Sequence, residues 1–132
     1  MTTAEPMLLS QRIAQVCLFL VAAIAIFGGS LQMYLGQPET SPRLDNVHRF
    51  MGGIYLMSGV TGLWVALTIR QHTTLVFLLA LTVLMGGIGR LISMSKVGLP
   101  EPSTVWLGYL VPELVLPWVI IAAQVMTNRR VG

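Results

Sequence analysis

Apolar residues fill four long stretches of the chain, and polar residues gather in three short breaks between them. From Ile13 to Pro38 there is no charged residue, and "IAQVCLFLVAAIAIFGGSLQMYL" exceeds the about 20 apolar residues that cross a bilayer. "QPETSPRLD" then reads as a polar, Pro-containing loop, and "NVHRFMGGIYLMSGVTGLWVALTI" as a second span beginning near Asn46. "RQHT" connects to a third span, "TLVFLLALTVLMGGIGRLISM", and "VGLPEPS" breaks the chain before a fourth, "TVWLGYLVPELVLPWVIIAAQVM". The pattern predicts a single domain over residues 1–132 with spans at 13–36, 46–69, 73–96 and 104–127. Such short connections favour antiparallel sequential neighbours, so the expected fold is all-α, an integral membrane four-helix up-down bundle.

Composition agrees with that class. Of 132 residues, 55% are hydrophobic and 10% charged, too few polar side chains to cover a soluble globule. The net charge of +3 comes from basic residues scattered singly or in pairs, without the patch that nucleic-acid binding needs. Arg12, Arg70, Arg129 and Arg130 fall on one side of the expected bundle, while Arg43 and Lys96 on the other are balanced by Glu39, Asp45 and Glu101. The positive-inside rule then places both termini in the cytoplasm. The first apolar run is longer than the 7–15 residues of a signal-peptide core, so it is expected to stay as a span. Cys17, the lone cysteine, excludes an intrachain disulfide and a thiolate cluster and reads as a small buried hydrophobe.

The candidate chemistry is intramembrane charge, which is a functional-site hypothesis by default. At about 1.5 Å per residue, Arg49 lies roughly 5 Å, Arg90 roughly 10 Å and Glu113 roughly 13 Å inside the outer boundary. His48, Asn46 and Asp45 mark the same end of the second span, with Ser30, Gln32 and Tyr34 closing the first and Ser93, Ser95 and Tyr109 joining from the others. His48, Gly52, Tyr55, Gly59, Gly62 and Ala66 form a stripe of mainly small residues suited to close helix contact. Trp106, Tyr109, Glu113, Pro117, Ile120 and Gln124 form the polar-rich stripe of the fourth span, so Glu113 is expected to face the bundle. In the third span Gly86, Gly89 and Ser93 make a small stripe flanked by Gly87 and Arg90. Adjacent glycines recur at matching heights, Gly28 with Gly29, Gly52 with Gly53 and Gly86 with Gly87, the last two pairs in the same tetrapeptide "MGGI". These pairs either pack helices closely or line a cavity. Pro112 and Pro117 bracket Glu113 and each removes a helix hydrogen bond, so a kink with free carbonyls near the acid is expected.

Two arginines and a histidine against one deep carboxylate predict a net positive pocket at headgroup depth, suited to an anionic or carbonyl-bearing, lipid-like or quinone-like molecule. The ligand-binding set is then His48, Arg49, Arg90, Tyr109 and Glu113, with Gly28, Gly29, Gly52, Gly53, Gly86, Gly87 and Gly89 as packing or cavity residues. Other readings are a structural ion-pair network and an accessory membrane subunit with a membrane-protein partner or as a homodimer. A third is an enzyme using Glu113 with His48 as acid and base, and a fourth a dimeric proton-coupled exporter. Arginines beside Glu113 weigh against the exporter, because they repel a cationic substrate. No cofactor is identifiable. His48 and His72 fall on opposite membrane sides, so no metal site is expected, and the eight methionines read as core filler.

At "LDNVHRFMGGIYLMSGVTGLW", "GGIGRLISM" and "PELVLP" the chain resembles the small four-helix bacterial membrane proteins grouped as domain of unknown function 4345. The resemblance covers roughly residues 12–127 and rests on His48 with Arg49, Gly52 with Gly53, Gly86 with Gly87, Gly89 with Arg90, and Pro112 with Glu113. In architecture alone it is more distantly similar to DoxX-like proteins. The resemblance implies a four-helix fold in a bacterial inner membrane and supplies no activity.

Overall fold

The computed structural model describes residues 6–36, 39–100 and 103–131. Four helices account for nearly all of them: α1 (Leu9–Leu35), α2 (Pro42–Leu67), α3 (Thr74–Val97) and α4 (Ser103–Val131), with a 3-10 turn at Ile69–Gln71 after α2. All four are long and apolar enough to cross a membrane, with mean hydropathies between 1.5 and 2.2. The Glu101 loop charge lies outside the described residues.

Helix ends explain where the elements depart from the expected spans. α2 starts at Pro42 rather than near Asn46, because Ser41 caps it by accepting from the Leu44 amide (3.3 Å) and proline suits the first helical position. α1 stops at Gly36 (φ 67°) and α3 at Gly98 (φ 88°), backbone conformations that a Cβ disfavours. α1 also starts four residues early, at Leu9.

α1 is the central element, packing on α2 along one side and on α4 along the other, and α4 also carries α3. α2 and α3, although consecutive, barely touch. The helices therefore form an open ring in the order α2, α1, α4, α3. Near the two termini the ring is filled. Ala14 and Leu18 of α1, Val65 and Ala66 of α2, Val76 and Ala80 of α3 and Ile120 of α4 make a core in which each is fully enclosed, with Cys17 beside them. Along α3 the enclosed positions are Val76, Ala80 and Gly87, whereas Gly86, Gly89 and Ser93 are exposed, so the expected small stripe is not the packing face.

Polar side chains tie this end together. Ser10 and Thr127 hydroxyls meet at 2.7 Å, and the Gln15 side chain donates to the Ala66 carbonyl at 2.8 Å. Gln11 and Gln124 are also buried there. The sequence pattern placed polar convergence at the opposite end only. The four-residue spacing of Gln11 and Gln15, and Gln124 on the α4 stripe, are the signals for this second cluster.

The glycines divide by neighbour. A Cβ on Gly29 would stand 2.5 Å from the Leu56 amide nitrogen, and one on Gly59 would stand 2.8 Å from the Ile26 nitrogen. α1 and α2 therefore meet backbone to backbone, with Gly52 in the same seam against Gln32. Gly87 lies against Glu113 and Leu114 of α4, while Gly53 makes only ordinary contact with Met33. Gly86 and Gly89 face open space.

Candidate functional site

Because α2 and α3 do not close on each other, the half of the bundle away from the termini holds a cavity of about 340 Å³. Its walls come from Leu18 to Gln32 of α1, Met51 to Gly62 of α2, Leu79 to Arg90 of α3, and Pro112 and Glu113 of α4. Two polar wall residues spend their hydroxyl protons within their own helices and keep only acceptor oxygens for a ligand. Ser58 donates its hydroxyl to the Tyr55 carbonyl and Thr82 to the Leu78 carbonyl, both at 2.8 Å, so each satisfies its own helix. The other polar wall residues, Gln32, Tyr55, Arg90 and Glu113, form one end.

Arg90 and Glu113 pair across α3 and α4, with Arg90 Nε donating to Glu113 Oε2 at 2.8 Å. Gly87 permits this approach, since a Cβ there would stand 3.3 Å from the Glu113 Cβ. Pro117 has no N–H to give the Glu113 carbonyl one turn back, so that carbonyl lacks its usual helical donor. The Glu113 side chain is 8% exposed and Arg90 27%, so the carboxylate is enclosed and the guanidinium reaches the cavity. The guanidinium carbon lies 5.6 Å from the Trp106 ring centre and 5.4 Å from that of Tyr109, within cation–π range. Tyr55 approaches from α2, close enough to Arg90 and Glu113 to interact electrostatically with both. Gly28 makes room for the aromatic walls, with the Tyr55 ring 3.1 Å and the Tyr109 ring 3.6 Å from where a Cβ would stand.

The expected ring of Arg49, His48, Arg90 and Glu113 is split. Arg49 donates through Nε to Asp45 at 2.9 Å and through a terminal nitrogen to the Met33 carbonyl, with the Tyr34 carbonyl at 3.5 Å. The last carbonyls of a helix have no partner within it and carry partial negative charge, so a cation one helix away is drawn to the end of α1. Equal depth was therefore no guide to proximity. The four-residue spacing of Asp45 and Arg49, favourable on a helix surface, is the signal that they pair. His48 is half-buried and lines no part of the cavity. Tyr109 meets Arg90 with its ring face rather than as a hydrogen-bonding partner. Tyr55, read from spacing as a packing residue, and Trp106 belong to the site. Among the described residues no group of three or more His, Cys, Asp or Glu gathers.

An all-helical bundle with four membrane-length helices and a part-buried ion pair at one end of an apolar cleft defines a small multi-pass membrane protein. The sequence profile of the domain of unknown function DUF4345 matches residues 13–124, and the chain belongs to that family. No curated protein and no solved structure is significantly similar to it.

Proposed function

We propose that this protein binds an amphiphilic, membrane-soluble small molecule, with its polar head at Arg90 and Glu113 and its apolar part in the cleft between α2 and α3. The observation that carries this reading is the distribution of polarity in the cavity. A volume of about 340 Å³ falls in the range of ligand pockets, and its apolar wall ends in a few convergent polar groups. Arg90 commits Nε to Glu113 and interacts with Tyr55, and the rest of its guanidinium faces the cavity. The open seam between α2 and α3 supplies a lateral path from the hydrocarbon.

Native mass spectrometry of the protein released from lipid nanodiscs tests the reading. A low-mass adduct is expected on the parent protein and about tenfold less of it on Arg90→Gln, a change of about 1.4 kcal/mol. Equal adduct on both proteins, or none on the parent, would overturn it.

A further inference from the structure

The charge count of the cleft narrows the ligand class, an inference that rests on the binding reading above. With Arg49 held by Asp45 and the end of α1, the cleft contains one guanidinium and one carboxylate, paired at 2.8 Å. Its other polar groups, Gln32, Tyr55, Ser58 and Thr82, are uncharged. The site is therefore neutral as a unit, not net positive. An anionic head seated on Arg90 would bring a second negative charge beside an enclosed carboxylate. Repulsion between them acts through an effective dielectric of about 20 rather than the about 80 of water, so it is several times stronger than at a surface. A neutral acceptor avoids that repulsion and still uses the donors that Arg90 turns to the cavity.

We infer that the cleft selects an uncharged, carbonyl-bearing amphiphile over an anionic one, because the Arg90 and Glu113 pair presents donors without net positive charge. The carbonyl oxygen accepts from the terminal nitrogens of Arg90, Tyr55 supplies a further polar contact, and the chain lies along Ile54, Leu79 and Val83. Glu113 thus acts as a selectivity group. It holds the guanidinium by Nε and cancels its charge.

A matched pair of probes separates charge from shape: a long-chain methyl ketone and the alkyl sulfonate of equal chain length, the latter anionic at any working pH. Trp106 lies against Arg90, so brominated forms of both probes report arrival by quenching it in nanodiscs. Trp64→Phe and Trp118→Phe remove the other two tryptophans. The ketone is expected to quench at about tenfold lower concentration than the sulfonate. Glu113→Gln is expected to reverse that order, since it leaves Arg90 uncompensated, and simple loss of structure would weaken both probes together. Equal potency, or a stronger sulfonate on the parent protein, would overturn the selectivity inference while leaving binding intact. Quenching by neither probe that is sensitive to Arg90→Gln would remove the binding reading as well. If Glu113→Gln does not fold, the order of the two probes on the parent protein still decides.

Discussion

The same tetrapeptide, Met-Gly-Gly-Ile, occurs at Met51–Ile54 of α2 and at Met85–Ile88 of α3, and its glycines meet opposite fates. In α2 the first glycine is the one pressed into a neighbour, with Gln32 2.7 Å from where a Cβ would stand, and the second has only distant contact with Met33. In α3 the second glycine is pressed against Glu113 and Leu114, and the first looks into the cavity with nothing within 4 Å. Local sequence does not distinguish them. The difference lies in what stands opposite: α2 has α1 along its whole length, whereas α3 has α4 on one side and an open seam toward α2 on the other. A glycine in a membrane helix can thus close a seam or hold one open, and only the neighbouring backbone decides.

Substitutions across these glycines test that contrast. Gly29→Val is expected to be the most damaging, because the neighbour is the α2 backbone itself and α1 must move away from it. The loss should reach about 3 kcal/mol or prevent folding, seen as a lowered Tm in detergent. Gly87→Val meets the flexible end of Leu114 first, so a smaller cost of about 1–3 kcal/mol is expected. Glu113→Gln weakens the hydrogen bond from Arg90 at a cost of about 1–2 kcal/mol, with urea or thermal unfolding as the measure. Arg49→Gln should cost at most about 1 kcal/mol, since its pair with Asp45 is exposed, and it should leave ligand binding unchanged. Gly86→Ala is expected to change stability least and in the favourable direction, by up to about 1 kcal/mol, because a helical glycine gains a Cβ that touches nothing. A large loss at Gly86 together with tolerance at Gly29 would reverse the assignment of seams.

Much of the fold was legible in the residues, and the reason is the bilayer. Apolar runs of membrane length leave few alternatives to spanning helices, and the stripes containing Gly52, Gly59 and Gly62, or Glu113, Pro117, Ile120 and Gln124, do face inward. What the pattern could not carry was adjacency. Short connections suggested that α2 and α3 would pack, yet the cavity exists because they do not. Position along a helix is a property of that helix alone and does not give contact with its neighbours, so the ring expected from depth includes Arg49, which pairs elsewhere. Asp45, four residues before Arg49, and the terminal carbonyls of Met33 and Tyr34 were the nearer partners. With Arg49 held by Asp45 and the end of α1, the charged residues that line the cavity are Arg90 and Glu113 alone.

Gly86→Leu bears most directly on the claim that the open seam is a binding cleft. The new side chain would occupy the cavity without pressing on any backbone, so fold and Tm should be kept while the cleft is filled. With this variant and the parent protein compared by native mass spectrometry in nanodiscs, the low-mass adduct is expected to disappear from Gly86→Leu at unchanged Tm. An adduct retained in full by a folded Gly86→Leu protein would contradict the account.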